Sequence, residues 1–303
     1  MPEVREFGVG TEPPGVLAVG IGGAGCNTLR VLPATPGLDV LAVNDHPHPS
    51  MLGVRRKLLL DKSGLREIAG MDEHAVKALA TTAEQAVAVE LGDAEFIVPL
   101  AGLGGEMGSW GASLVARVAA LKGATSMAVV TTPFSVEGPA RRLVASSALK
   151  LLRTHAHGTL VLPNDPLLRV APNLPVLRAF EAMSKLGLQP ILDLLRVLTR
   201  DDLAALKTVL RGADDWQLGI GEGMGDHPEL AAVDAAFRSP WLARPPEDAR
   251  EAIVLIAQPE GDERAVREIL HDVDLRAPRA SVMSGAFSGP DVTATRVTAL
   301  LGF

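Results

Sequence analysis

Val16-Leu17-Ala18-Val19-Gly20-Ile21-Gly22-Gly23-Ala24-Gly25-Cys26-Asn27 is the stretch that decides how the chain is read. An apolar run ends in glycines, and a helical pattern follows over 24–33. The order is strand, tight turn, helix. Glycines let the backbone turn sharply and approach an anion, and a helix N-terminus offers unpaired N–H groups with a partial positive charge. One such turn also belongs to dinucleotide-binding oxidoreductases. Asp45 lies near the distance of a ribose-binding acid, so an NAD(P) reading stands at this point.

A second glycine-rich turn, Ala101-Gly102-Leu103-Gly104-Gly105-Glu106-Met107-Gly108-Ser109-Trp110-Gly111, follows the apolar run Phe96–Leu100. Two such turns in one sheet depart from the oxidoreductase habit and point to two helix N-termini converging on one polyphosphate. Pro133 to Gly138, with Arg141 beyond it, follows Ser126–Thr132, and Pro163-Asn164-Asp165 follows Thr159–Leu162. These supply a carboxylate for ribose, an arginine for a phosphate or ring, and an asparagine for a base edge. With Val16–Gly20 and Leu38–Val43 as further strands and helices over 24–33, 74–90, 110–122 and 138–154, the pattern predicts a Rossmann-like parallel sheet with helices on both faces. All four turns then fall at the carboxyl ends of strands, where open α/β sheets bind ligands.

Residues 174–198 read as a long helix, apolar at Leu177, Phe180, Met183, Leu186, Ile191, Leu194 and Leu195, with Pro190 expected to kink or interrupt it. Strands at Trp216–Ile220, Ala252–Ala257, Ala280–Ala286 and Thr293–Leu300, with helices at 227–238 and 262–272, predict a smaller α/β domain. The expected division is a flexible arm at 1–14, a nucleotide-binding domain at 15–173, a central helix and connecting loop at 174–202, and a second domain at 203–303.

The 303 residues are 47% apolar with a net charge of −7, which suits a globular chain and argues against a nucleic-acid surface. The single cysteine excludes an intrachain disulfide. His46 with His48, and His155 with His157, are spaced too loosely for a metal expectation, and none is made. No apolar run approaches the ~20 residues that span a bilayer, and the start lacks a signal-peptide pattern, so the default location is cytoplasmic.

Taken in order, these segments resemble FtsZ, the prokaryotic relative of tubulin. The first glycine turn is similar almost letter for letter, Ala42-Val43-Asn44 matches the AVN motif, and residues 101–111 stand where GGGTGTG belongs. Thr131 to Gly138 with Arg141, Pro163-Asn164-Asp165, Gly219 to Gly223, and Ala231 to Ser239-Pro240 also match. The resemblance spans about 15–303. It implies the tubulin/FtsZ fold, GTP or GDP as ligand with magnesium left open, and head-to-tail stacking with another copy or another FtsZ. By position Gly22, Gly23, Asn27, Gly104, Gly105, Gly108, Glu137, Arg141 and Asn164 would line the pocket, with Glu137 on ribose and Asn27 and Asn164 at the base. Asp202, in the loop that completes the neighbour's site, would be catalytic. The alternative role for Asp202 is a helix cap. The chain stops at Phe303 without a tail, so the resemblance implies that the peptide by which FtsZ meets its membrane-tethering partners is missing, and no direct membrane anchor is expected.

The departures predict weak or absent hydrolysis. Glu106 replaces a glycine beside the β/γ-phosphates, Met107 removes a hydroxyl, and Trp110 replaces another glycine. Asp45 and His46 replace Thr-Asp, and Ala69-Gly70-Met71-Asp72 shortens a third loop. Ser184-Lys185 replaces Asn-Asp, and lysine only donates, so the guanine acceptor is lost. Ala205 stands where a second catalytic carboxylate belongs. A nucleotide-free structural module is therefore the competing expectation.

Overall fold

A computed structural model describes residues 4–8, 10–61, 65 and 81–303. The expected loop at Ala69-Gly70-Met71-Asp72 and the first part of the expected helix over 74–90 lie outside the described residues. Two compact units emerge, Pro14–Leu188 and Met1–Pro13 with Gln189–Phe303. The first strand, β1 (Val4–Glu6), belongs to the second of these.

In unit 14–188 the strands are β2 (Val16–Ile21), β3 (Leu38–Asn44), β4 (Arg56–Leu59), β5 (Phe96–Gly102), β6 (Thr125–Thr132) and β7 (Gly158–Pro163). They run in the order β7-β6-β5-β2-β3-β4, every pair parallel. Val16 pairs with both Leu38 and Phe96, which sets the central register. All six residues of β2 are buried, as a strand covered on both faces requires. The helices are α1 (Gly22–Arg30), α2 (Thr82–Leu91), α3 (Glu106–Leu121), α4 (Pro139–His155), α5 (Asp165–Val170) and α6 (Val176–Leu195). Leu17, Val19 and Ile21 share one core with Leu41, Val43, Val115, Val118 and Val130.

Three local features differ from expectation. Helix α3 begins at Glu106 rather than 110, so half of the second glycine turn is helix. Helix α6 continues through Pro190 without interruption. Its apolar stripe is core only in part: Met183, Ile191 and Leu194 are buried, whereas Leu177 is 84% exposed and Phe180 44% exposed. The stripe outruns the core at its N-terminal end.

Unit 1–13/189–303 continues with α7 (Leu203–Arg211), β8 (Trp216–Gly223), α8 (Pro228–Phe237), β9 (Glu251–Gln258), α9 (Glu263–Arg276), β10 (Ser281–Ser288) and β11 (Thr295–Gly302). Its strand order is β1-β10-β9-β11-β8, with β11 antiparallel to both neighbours. Val254, Ile256, Ile269, Val273 and Val297 form its core with Phe237 and Phe303. The expected flexible arm is instead partly ordered. Val4, Arg5 and Glu6 pair in parallel with Val282, Met283 and Ser284, because the outer edge of β10 offers backbone partners to any extended segment. Buried Asp193 fixes the end of α6 within this unit, accepting from Arg296 Nη2 at 2.6 Å, Thr298 Oγ1 at 2.7 Å and Gln189 Nε2 at 2.9 Å.

A buried ion pair ties α2 to α3. Thr81 and Glu84 form a capping box, and Glu84 Oε1 accepts from Arg117 Nε at 2.6 Å while Oε2 accepts from Thr81 N at 2.9 Å. Glu84 is fully buried, so losing Arg117 takes a close cation from a charge held in a low-dielectric interior. Arg117→Ala should cost about 3–5 kcal/mol of unfolding free energy by urea titration. A loss within ~1 kcal/mol, the range of an exposed pair, would contradict the burial argument.

Candidate functional site

The expected site residues lie on turns that touch one another in sequence. Gly22 opens α1 with φ +68°, and a Cβ there would stand 3.0 Å from Gly108 N. Gly108 in turn packs on its own turn, where a Cβ would meet Gly102 O at 2.3 Å. Only paired glycines let the starts of α1 and α3 approach so closely. Gly104, at φ +101°, brings the second turn onto the third: a Cβ there would lie 3.1 Å from Arg141 O and 3.3 Å from Pro133 Cγ. The third turn reaches the fourth through Ser135 N–H, which donates to Asp165 Oδ1 at 2.8 Å. Helix α6 closes the circuit. Thr28 Oγ1 on α1 donates to Ser184 Oγ at 3.0 Å, and the Phe180 ring meets Phe134 edge-on with centroids 5.9 Å apart.

Within this circuit Gly23 and Gly105 leave room. Nothing comes within 4 Å of a Cβ built on Gly105, and only His48 Cε1, at 3.8 Å, approaches one on Gly23. Neither α1 nor α3 has a side-chain cap at its N-terminus, so their first amides remain for an anion. One amide is lost to the site, since Gly104 N–H donates to Ser109 Oγ at 2.9 Å. Glu106 occupies the first position of α3, half-buried, where its carboxylate complements the positive end of the helix. The same charge opposes any phosphate that would take that place.

Asn164 is 5% exposed, and its Oδ1 is buried without a hydrogen-bond partner. It stands at the N-cap of α5 and makes no side-chain cap bond, which removes the local-turn role that an asparagine there usually fills. A buried orphan acceptor costs about 1–3 kcal/mol, so a polar partner from a bound molecule would be stabilising at this atom. Glu137 and Arg141 are paired at 2.7 Å, and Glu137 Oε1 also accepts from Phe134 N at 2.8 Å. Glu137 sits on the third turn and Arg141 on the first turn of α4, the arginine 59% exposed. Asn27 lies exposed on α1, one residue before the Thr28 contact.

Two neighbours of the site escaped the sequence reading. Phe180 belongs by sequence to the apolar stripe of the central helix, while the flanking charges Arg178, Glu181 and Lys185 signal a helix face in water. His48 was weighed only as a metal ligand. Its Nδ1 lies 2.7 Å from Ser50 Oγ and its ring faces the first glycine turn. Among the described residues no group of three His, Cys, Asp or Glu is arranged to hold a metal. Lys185 Nζ lies 3.3 Å from Glu181 Oε1, and Arg178 holds Glu181 at 2.9 Å. The Arg178 bond, then the Lys185 contact, keeps the Glu181 carboxyl below its usual range. An ionised acceptor thus stands one turn before the lysine.

In the second unit, Asp202 is 4% exposed. Its Oδ2 accepts from Thr199 Oγ1 at 2.6 Å, Thr199 N at 2.8 Å and Gly8 N at 3.1 Å. Its carboxylate caps the turn Arg200–Asp202. Ala205 lies on α7, half-buried.

Two helix starts meet over a glycine crossing at the carboxyl rim of a parallel sheet, which defines an open α/β protein with its loops gathered at the rim where such sheets hold ligands. Residues 42–172 match the family model described as Tubulin/FtsZ family, GTPase domain. Cell division protein FtsZ 1 of Archaeoglobus fulgidus is 30% identical over 300 residues, 94% of this chain and 81% of the relative. Cell division protein FtsZ of Methanothermobacter thermautotrophicus is 31% identical over 298 residues, 94% and 77%. The solved FtsZ dimer of M. jannaschii superposes with a TM-score of 0.80 at 26% identity, covering 97% of this chain and 89% of that one. The chain belongs to the tubulin/FtsZ family. No helix among the described residues is long and apolar enough to cross a membrane.

Cys26, on α1, reads as a packing residue. Its thiol donates to Gly20 O at 3.3 Å, and burial pushes it from 9.0 up to about 11 against smaller opposing bonds from Val43 and Ser50. The unfolded thiol ionises first, so this contribution to stability is whole below pH 9.0 and is lost by about pH 11. At pH 9 iodoacetamide should label the folded chain far more slowly than the urea-unfolded chain. Equal rates would show a reactive thiolate instead.

Proposed function

We propose that the chain binds a guanine nucleotide at the glycine crossing, associates head to tail with further copies, and hydrolyses GTP slowly. The orphaned, buried Oδ1 of Asn164, within the circuit that also holds the two uncapped helix starts, carries this reading. A nucleotide fits the residues present. Gly22, Gly23, Gly105 and Gly108 would hold its phosphates, Glu137 and Arg141 its ribose side, and Asn27, Asn164 and Phe180 its base. Glu181 offers the ionised acceptor that Lys185 cannot, which favours guanine's N–H edge. A magnesium ion would be held mainly through the phosphates, with Asp45 one position before the place where the family has its acid and this chain has His46. The solved relative described as an FtsZ dimer supports association with a second copy.

Slow turnover is supported from both units. Glu106 adds a negative charge at the phosphate end, and Gly104 N–H is already engaged with Ser109. Asp202 serves as a cap, and Ala205 has no polar group with which to orient water.

The second reading, a nucleotide-free structural module, rests on Glu106 together with Lys185 and Ala205. Chromatography of the denatured, freshly purified protein distinguishes the two. Co-purified GDP or GTP is expected, and its absence together with no binding of added fluorescent GDP would favour the module. Glu106→Gly should tighten GDP binding about tenfold by removing a like charge near the phosphates. Asn164→Ala should weaken it by about the same factor. Unchanged affinity in both variants would remove the site from this rim.

A further inference from the structure

His48 is fixed by its neighbours in the chain. It stands between Pro47 and Pro49, and a residue before proline is pushed out of the helical region. Its backbone is accordingly extended, at φ −130° and ψ 145°. Pro49 opens the short turn Pro49–Met51, which the buried Ser50 and Met51 anchor and which His48 caps. Ser50 N–H donates to His48 Nδ1 at 3.1 Å, and Ser50 Oγ lies 2.7 Å from the same nitrogen.

This clamp decides the chemistry of the ring. A backbone N–H can only donate, so Nδ1 is the acceptor and the neutral imidazole carries its proton on Nε2. Among the described residues Nε2 has no hydrogen-bond partner. Beside it in the ring is Cε1, which comes within 3.8 Å of a Cβ built on Gly23. The open donor thus lies one bond from the atom that approaches the start of α1, where the first amides have no side-chain cap. His46 is placed differently. Its Nδ1 lies 2.6 Å from Asp45 Oδ1, and its side chain is 62% exposed.

We propose that His48 is a phosphate-binding residue, donating from Nε2 to an oxygen of the phosphate chain held at the start of α1. This deepens the nucleotide reading above and rests on it. An N–H donor aimed at an anion makes a stronger bond than one between neutral groups. On the side of α1 it offsets part of the charge that Glu106 places on α3. The backbone of Ser50 sets which nitrogen donates.

The test uses the full chain freed of nucleotide, beside His48→Phe, which keeps a ring and removes the donor. GDP and guanosine separate a phosphate contact from a structural role. His48→Phe should weaken GDP binding about tenfold and leave guanosine binding unchanged. Unchanged GDP affinity, or equal losses for GDP and guanosine, overturns the proposal. A nitrogen NMR spectrum of the histidine side chains, taken above the usual histidine range, reads the tautomer. It should show His48 protonated at Nε2, with a resonance that moves on adding pyrophosphate, and a proton on Nδ1 overturns the clamp. Pyrophosphate carries no base, so it judges the histidine independently of guanine recognition. Failure of the full chain to bind GDP removes the guanine-nucleotide reading, and an Nε2 resonance unmoved by pyrophosphate overturns the role of His48 whichever way GDP behaves.

Discussion

The approach of Gly22 to Gly108 is the contact on which the rest of the site depends. Two helices start from neighbouring parallel strands, β2 and β5, and their first turns can aim at one place only if the backbones touch. A Cβ on Gly22 would fall 3.0 Å from the Gly108 amide, closer than ordinary packing allows. Separating the helices by even one methyl group would split the two sets of free amides. From that contact the remaining turns follow by short links: Gly104 to Arg141 and Pro133, Ser135 to Asp165, and Phe134 to Phe180.

Much of this was legible in the sequence because the signals are local. Apolar runs ending in glycine announce strand-to-helix turns, and their chain order fixes which rim they share. The parallel sheet and the second α/β unit follow from the same reading. What escaped is set by partners far along the chain. β1 is a strand only because β10 presents an open edge, and nothing in Val4-Arg5-Glu6 itself says so. Phe180 looks like core on a helical wheel, because periodicity gives the face of a helix but not the point where its core ends. Pro190 looks like a break. The helix runs through it nonetheless, pinned just beyond by Asp193 to Arg296 and Thr298 on β11.

Glu106 illustrates how a departure from a family pattern can be locally favourable. At the first position of a helix a carboxylate is stabilising by up to about 1 kcal/mol, since it satisfies the positive end of the helix dipole. A phosphate satisfies the same end. The two compete for one electrostatic feature, so α3 is better served without ligand than a counterpart with glycine at position 106 would be. The orphaned Oδ1 of Asn164 argues the other way. A chain with nothing to bind gains by replacing that residue with an apolar one, whereas a chain that binds a base through it gains by keeping it buried and unpaired.

Asp202 separates two meanings of a retained acid. It holds three hydrogen bonds on one oxygen and closes the turn before α7, so its removal would leave Thr199 N, Thr199 Oγ1 and Gly8 N without their acceptor. That structural work is reason enough for an aspartate at this position, and its presence beside Ala205 therefore says little about catalysis. The two positions differ in what the fold demands of them. A half-buried residue on the first turn of α7 can lose a carboxylate without stranding any partner, whereas the residue that caps the turn cannot. Under the slow-turnover reading proposed above, an apparatus that decays under these constraints would lose the second acid first and keep the first in a structural role.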